Sequence, residues 1–311
     1  VEGRSTDPVG EGAPFVSVVI PVFDHAERLP ACLAAIERQR YPPECYEVVL
    51  VDNGSREDLH AAAAGFPRVR IVEEAETGSY AARNRGLANA RGNVLAFTDA
   101  DCVPEPDWLA HGVRALLAAP GIGLVAGRID LVFGDPRSPT AAELYESVAS
   151  FRQRDYVERW GFGATANLFA FRHSFERAGP FDARLRSLGD REWGQRVCST
   201  GLRPAYAHDA AVNHPARKTL AQLLRRTARM TGGFHALART QGWTRRSFLR
   251  EAATSTGWMA VLLVIPAGRD MPAGLRSLPR RGVVAVTLLL VIVVRVLELL
   301  RLVAGGGPRR A

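Results

Sequence analysis

Between residues 16 and 98 the sequence alternates short, β-branched, nearly uncharged runs with segments of helical period. Residues 16–21, 46–51, 69–72 and 93–97 read as strands. Residues 27–40 carry Leu29, Cys32, Leu33 and Ile36 at helical spacing, and 56–64 and 80–90 also read as helices. Strands that alternate with helices build βαβ units on a parallel sheet. Near-continuous apolar strands fit a sheet covered on both faces. The expected fold class is therefore α/β: a Rossmann-like, mostly parallel sheet with flanking helices, followed by a C-terminal apolar helical tail.

Beyond residue 101 the rhythm changes. Residues 107–118 predict a helix, 123–133 an extended segment broken at Gly127, and 141–156 one amphipathic stretch. A strand over 167–171, a helix over 189–200 and a basic amphipathic helix over 220–240 follow. The expected organisation is a leader at 1–14, a main domain at 15–245 and a basic, apolar tail at 246–311. The leader is rich in Gly, Pro and charge and has no apolar h-region, so it reads as a flexible segment and not a signal peptide. In the tail, 258–266 is a short apolar run, and 283–294 is twelve residues without a charge. Arg295, Glu298 and Arg301 lie three apart on one helix face, where Glu298 can pair with both arginines. The length of 282–303 suits a membrane span, a hairpin partner or a helix lying in the interface. A terminal helix packed on the domain, or an oligomer contact, is the alternative. Arg276, Arg280 and Arg281 favour a cytosolic link between the apolar segments.

With 47% hydrophobic and 23% charged residues in 311, the chain can bury a sizeable core and is not globally disordered. The net charge of +8 comes from 39 arginines and one lysine, Lys218. That bias, with abundant alanine, reflects a GC-rich genome more than a nucleic-acid site. No aromatic-rich basic stripe or zinc-finger spacing supports nucleic-acid reading. Arginines concentrated after residue 216 point instead to anionic lipid or phosphate. Cys32, Cys45, Cys102 and Cys198 form no Cys-x-x-Cys pair and read as reduced, cytosolic and mostly buried.

At the end of the 93–97 run stand Asp99 and Asp101, two residues apart where a strand meets a loop. Open α/β sheets bind ligands at the carboxyl ends of their strands. Two hard oxygen ligands there suit Mg²⁺ or Mn²⁺ holding a diphosphate. In isolation the same residues make an ordinary polar turn.

Taken together, the motifs from about residue 16 to 229 resemble the family 2 glycosyltransferases, inverting nucleotide-sugar enzymes of GT-A fold. The resemblance rests on Val18-Val19-Ile20-Pro21-Val22-Phe23-Asp24, Val51-Asp52-Asn53-Gly54-Ser55 and Gly78-Ser79-Tyr80-Ala81-Ala82-Arg83-Asn84-Arg85-Gly86. It continues through Phe97-Thr98-Asp99-Ala100-Asp101, Gly179-Pro180-Phe181-Asp182 and Gly189-Asp190-Arg191-Glu192. The resemblance implies nucleotide-sugar contacts at Pro21, Val22, Asp24, Asp52, Asn53, Arg83, Asp99 and Ala100. Asp52 would accept a hydrogen bond from the base, while Asn53 and Gly54 shape its turn and Ser55 caps the 56–64 helix. Asn often stands where this chain has Asp24. Arg83 would fork onto phosphate oxygens, with Arg85 and Arg91 solvated. Asp101 would contact the metal, Mn²⁺ or Mg²⁺, with Asp99 reaching ribose or a metal-bound water. His214, after a strand, would complete the metal site, with His208 as its competitor. Asp190 matches the catalytic base in a motif usually written Glu-Asp; Gly189 takes the place of the first acid, and Glu192 is the runner-up base. Trp193 fills core.

Processive members carry Gln-x-x-Arg-Trp; here Gln222-Leu223-Leu224-Arg225-Arg226 lacks the tryptophan, which implies transfer of a single sugar. The expectation is a bacterial enzyme on the cytoplasmic face of the membrane. It moves one sugar, most simply from a UDP-sugar, to a lipid-linked, cell-wall or polysaccharide acceptor. Two other readings are a sugar nucleotidyltransferase, which would show a Gly-rich loop where Pro21-Val22-Phe23-Asp24 stands, and a non-catalytic sugar-nucleotide-binding protein.

Overall fold

The computed structural model describes residues 12–261 and 278–306. The leader up to residue 11, the apolar run beyond residue 261 and Arg276 lie outside the described residues. Contacts divide the chain into two units. The first comprises Val1–Asp130, Arg152–Arg184 and Gly189–His214; the second comprises Leu131–Phe151, Leu185–Leu188 and Pro215–Ala311.

The first unit is built on one eight-stranded sheet. Its strands are β1 (Val16–Val22), β2 (Tyr46–Asp52), β3 (Val69–Glu73), β4 (Val94–Thr98), β5 (Val103–Pro104), β6 (Ile122–Val132), β7 (Asn167–Phe171) and β8 (Arg203–Pro215). Their order is β3-β2-β1-β4-β7-β6-β8-β5. The first four are parallel, with Val16 opposite both Tyr46 and Val94. From β4 to β7 and β7 to β6 the pairing is antiparallel, so the sheet is mixed and its parallel half carries the βαβ units. The helices are α1 (Leu29–Glu37), α2 (Leu59–Ala63), α3 (Ser79–Asn89), α4 (Trp108–Leu117), α6 (Gln153–Trp160), α7 (Arg172–Ala178) and α8 (Gly189–Ser199). Between α4 and α6 the chain passes through α5 (Ala141–Ala149) in the second unit.

Strands β1, β2 and β4 are buried almost throughout because they read Val-Ser-Val-Val-Ile, Val-Val-Leu-Val and Val-Leu-Ala-Phe. Each large aliphatic buried there contributes roughly 1.5–3 kcal/mol. Because β2 and β3 continue to one side of β1 and β4 lies on the other, the strand order reverses between β1 and β4. A crevice outside the carboxyl ends of the strands at such a reversal is where open α/β sheets bind ligands.

Three local expectations change. The segment 56–64 forms only the short helix α2, capped by Asp58, whose carboxylate accepts from Ala61 N. Ser55 does not cap it and instead accepts from Asp24 N at 3.2 Å. The stretch 141–156 divides into α5 and α6 at Ser150–Arg152, where Phe151 takes φ 52°. Strand β6 runs unbroken through Gly127. A Cβ there would lie 2.2 Å from Ala210 O and 2.4 Å from the Asn167 amide, so the glycine permits close approach and does not end the strand. Gly127→Ala is expected to lower stability by about 1–3 kcal/mol through overpacking against backbone that cannot yield, read as a fall in the urea midpoint.

The second unit packs four helices: α5, α9 (Leu220–Thr240), α10 (Arg245–Val261) and α11 (Leu278–Val303). Leu288 and Val291 of α11 meet Ala142, Tyr145 and Leu223, while Val284 meets Leu144. Leu299 and Val303 pack on Phe234, Ala238, Phe248 and Ala252. Glu298 is buried and pairs with Arg301, Nε to Oε2 at 3.0 Å. The opposite face of α11 exposes Val286, Leu289, Val293, Leu297 and Leu300. Over residues 279–303 this helix is long and apolar enough to cross a membrane.

Candidate active site

Two strand ends and one strand interior supply the core of the site. After β4 the chain turns at once, with Cys102 N donating to Asp99 O at 3.0 Å, which presents Asp99 and Asp101 on a tight loop around buried Ala100. Strand β8 pairs with β5 through Asn213 opposite Val103 and brings His214 over from the far side of the sheet. His214 Nε2 lies 3.8 Å from Asp101 Oδ1. His214 is thus inside β8 and not after it, and it is buried. His208, on the same strand, is exposed and lies against Tyr206, six residues or roughly 20 Å along the strand from His214. Of the two histidines, the structure brings His214 to the aspartate loop.

Asp101, Cys102 and His214 each offer a ligand atom within 4.8 Å of one another. Burial pushes the Cys102 thiol well above its ordinary range, with Asp99 and Asp101 adding to the effect, so the sulfur is a neutral thiol. The usable donors are a carboxylate and an imidazole. Their 3.8 Å separation is narrower than twice the ~2.1 Å bond length of a small octahedral divalent ion, so both can reach one ion. The imidazole favours Mn²⁺ over Mg²⁺. The residues therefore fit a divalent cation.

Asp99 faces elsewhere. Its Oδ1 accepts from Arg83 Nη2 at 2.6 Å. Arg83 is buried on α3, donates from Nη1 to Ser79 O at 3.2 Å, and its Nε has no hydrogen-bond partner. The guanidinium sits 5.7 Å from the Tyr80 ring centroid, and Tyr80 Oη donates to Asp190 Oδ1 at 3.2 Å. Helix α3 therefore connects the aspartate loop with the first turn of α8. Asn84, next to Arg83, clasps the backbone of Phe181 through both its amide oxygen and nitrogen, and Trp193 Nε1 donates to Gly179 O. Trp193 is core, stacked on Phe175.

Asp190 opens α8 and its Oδ1 also accepts from Arg191 N at 2.9 Å. Burial raises its pKa above the ordinary carboxylate value; the Arg191 N–H, the Arg83 charge and the Tyr80 hydroxyl pull the other way without cancelling the rise. Such a carboxylate is closer to the basicity needed to accept a proton near neutral pH. Glu192 is placed differently. Both of its oxygens are held by Arg196, Nε to Oε1 at 2.6 Å and Nη2 to Oε2 at 2.9 Å.

A family model for "Glycosyl transferase family 2" matches residues 17–179, the span that carries β1, β4 and the aspartate loop. A curated relative, glycosyltransferase AglE of Haloferax volcanii, is 37% identical over 225 residues, 71% of this chain and 73% of that protein. The chain belongs to glycosyl transferase family 2. A PGL/p-HBAD biosynthesis glycosyltransferase of Mycobacterium bovis is 30% identical over 215 residues, 63% of this chain and 75% of that protein. Among solved structures, mannosyltransferase PcManGT from Pyrobaculum calidifontis, in complex with GDP-Man and Mn²⁺, shares the fold with a TM-score of 0.57 at 23% identity. That match covers 97% of this chain and 78% of that one. TarS of S. aureus in complex with UDP gives a TM-score of 0.50 at 15% identity, over 71% of this chain and 65% of that one.

In this family 2 chain several of the expected contacts serve the framework. Asn53 donates to Glu74 O at 3.0 Å and Glu76 O at 2.8 Å and accepts from Gly78 N at 2.8 Å. With both amide hydrogens spent, Asn53 clamps the 74–78 loop. Val22 is buried and gives its carbonyl to Asn53 N at 2.9 Å, while Pro21 sits in register with Val51. Asp24 adopts φ 50°, the left-handed region that Asp and Asn tolerate. Its carboxylate pairs with Arg56, Oδ2 to Nη2 at 2.6 Å and Oδ1 to the main-chain N at 2.9 Å, and so holds a loop. Asp52 Oδ1 accepts from Gly54 N and Ser55 N.

Arg28, named nowhere in the sequence reading, and Phe23 and Tyr80, quoted there only within motifs, were given no role by it. Arg28 Nη1 lies 3.6 Å from Asp101 Oδ2. Phe23, 53% exposed, stands just beyond β1, and its signal was a bare aromatic in a polar strand-end turn. Tyr80 had no local signal, since its partner is 110 residues away. Below the aspartate loop, buried Cys32 Sγ reaches Asp99 O at 3.7 Å and Cys102 Sγ reaches Ala166 O at 3.8 Å.

Proposed function

We propose that the chain is an inverting transferase that moves one sugar from a nucleotide-diphospho-sugar to a lipid-linked, cell-wall or polysaccharide acceptor at a membrane surface. The observation that carries this reading is the convergence of Asp101 with His214, and of Asp99 with Arg83, at the strand-order reversal, with Asp190 joined to them through Tyr80. The Mn²⁺ and GDP-Man of one fold relative and the UDP of another support a metal-assisted donor site. Asp101 and His214 would hold the ion, which when bound neutralises the leaving diphosphate. Arg83, whose buried Nε lacks a partner, binds phosphate or ribose oxygens beside Asp99. Asp52 meets the base edge through the oxygen not engaged by its own turn. Asp190 takes the proton of the acceptor hydroxyl as that oxygen bonds to the anomeric carbon; the carbon–oxygen bond to the diphosphate breaks on the opposite face, and the nucleoside diphosphate leaves with its electron pair.

Thermal-shift measurements with UDP-glucose, UDP-N-acetylglucosamine and GDP-mannose, each with Mn²⁺ or Mg²⁺, test the donor site. Ligand at a hundred times its Kd is expected to add about 2.7 kcal/mol. No shift with any of the three in the presence of either ion counts against the reading.

The membrane part of the proposal rests on α11. One face is built into the core of the second unit and the other is a continuous apolar stripe, which suits a helix lying in the interface. Arg280 and Arg281 at its start favour the cytoplasmic face. Replacing Val293 and Leu297 together by Asp is expected to release the protein from the membrane fraction with little change in Tm, because both side chains are exposed. Deleting α11 would instead uncover Leu223 and Tyr145. A double variant still bound to membranes argues against the interfacial helix.

A further inference from the structure

We infer that Tyr80 is a positioning residue for Asp190, and that with Gly189 it replaces the second carboxylate that an acidic pair would place beside the base; the inference rests on the reading of Asp190 as that base. The geometry links the two substitutions. A Cβ on Gly189 would lie 2.7 Å from Tyr80 Cε2, 2.8 Å from Cδ2 and 2.9 Å from Cζ. The tyrosine ring therefore fills the space that a side chain at position 189 would need, and any acid there would have to expel it. The ring is buried and fixed, with Phe181 at 5.7 Å on one side and the Arg83 guanidinium at 5.7 Å. Its hydroxyl ends 3.2 Å from Asp190 Oδ1.

The exchange changes the chemistry of the base. A neighbouring carboxylate repels the charged form of Asp190 and raises its pKa, whereas a phenol that donates to it favours the charged form. The groups facing Asp190 are Tyr80 and Arg83 from α3, the Arg191 N–H from α8 and the Thr165 main chain ahead of β7. Burial alone raises the Asp190 pKa; Tyr80 moderates that rise. The hydroxyl also shares Oδ1 with the Arg191 N–H. Two hydrogen bonds on this oxygen, with a further one from the Thr165 main chain to the carboxylate, fix its orientation.

The test uses urea denaturation of the full chain as parent, Tyr80→Phe, Asp190→Asn and the double variant, from pH 4 to pH 8. Removing the hydroxyl raises the folded-state pKa of Asp190 further. The folded state then holds its proton to higher pH, so stability relative to the parent falls as pH rises through the interval between the two pKa values. The midpoint of Tyr80→Phe is expected to drop further below the parent at pH 8 than at pH 4, and the pH dependence is expected to vanish in the Asp190→Asn background. Gly189→Ala, which displaces the ring by a different route, is expected to show the same trend. In turnover, the acid limb of the Tyr80→Phe rate profile moves up by about one pH unit. A Tyr80→Phe effect that is the same at every pH, or that persists unchanged with Asp190→Asn, overturns the inference. Undiminished transfer by Asp190→Asn would overturn the base assignment while leaving the denaturation result to stand on its own.

Discussion

Asp101→Ala is expected to lose Mn²⁺-dependent nucleotide binding by at least about a hundredfold, since removing even a supporting partner of a metal ligand costs 10–100-fold. No neighbour is free to substitute. Asp99 is held by Arg83 at 2.6 Å, the Cys102 thiol is kept protonated by burial, and His214 alone offers a single ligand. The variant should stay folded: Asp101 is partly accessible and its contacts are the 3.6 Å approach of Arg28 and the 3.8 Å approach of His214. Calorimetric titration of UDP and GDP with and without Mn²⁺ measures the effect, and nucleotide binding with unchanged Mn²⁺ dependence would refute the metal assignment.

Asp190→Asn is expected to slow sugar transfer by about 10²–10⁴-fold at saturating sugar donor, with donor affinity retained. Glu192→Gln should cost far less in rate, because both Glu192 oxygens are already engaged by Arg196. Its cost falls on the fold: Arg196 also donates to Ala178 O and to Pro180 O and so ties the Gly179 turn to α8. The Asp190 variant should show the opposite balance. Its folded-state pKa is raised by burial, so the charged form costs stability once the pH exceeds the unfolded carboxylate value. Asparagine carries no such charge. Relative to the parent, Asp190→Asn should gain stability as pH rises from about 4 and lose that advantage as pH falls. A larger rate loss in Glu192→Gln than in Asp190→Asn would move the base by two residues.

Much of this arrangement was legible in the order of residues. Strand β7 and helix α9 fall where periodicity put them, because the apolar run Leu168–Phe171 and a long amphipathic run admit few alternatives. Asp99 and Asp101 were singled out by residue type at a strand end and His214 by the family resemblance, and the fold brings Asp101 and His214 within reach of each other. What residue order left undecided depends on distant neighbours. Asp52, Asn53 and Asp24 looked alike as polar strand-end residues. Only the 74–78 loop and Arg56, brought up by the folded chain, show which side chains are already spent. Ser55 and Asp58 are both good caps, and the 3.2 Å contact from Asp24 N engages the first. Gly127 resembles a strand breaker until Asn167 and Ala210, 40 and 83 residues further along the chain, crowd its α-carbon. Composition suggested an apolar tail, with a packed terminal helix as the alternative; Leu288 and Val291 of α11 cluster with Ala142, Tyr145 and Leu223.

The two thiols beneath the aspartate loop give the protein an internal clock. Cys32 and Cys102 are fully buried and protonated, so a thiol reagent can modify them only after the loop or the sheet beneath it opens. Cys45 and Cys198 are less deeply covered and label first. The lag between the two pairs therefore reports the free energy of opening at the site itself and not of the whole molecule. A nucleotide or metal that binds only the closed site lengthens that lag by a factor of one plus the ratio of free ligand concentration to Kd, without any need to know the acceptor.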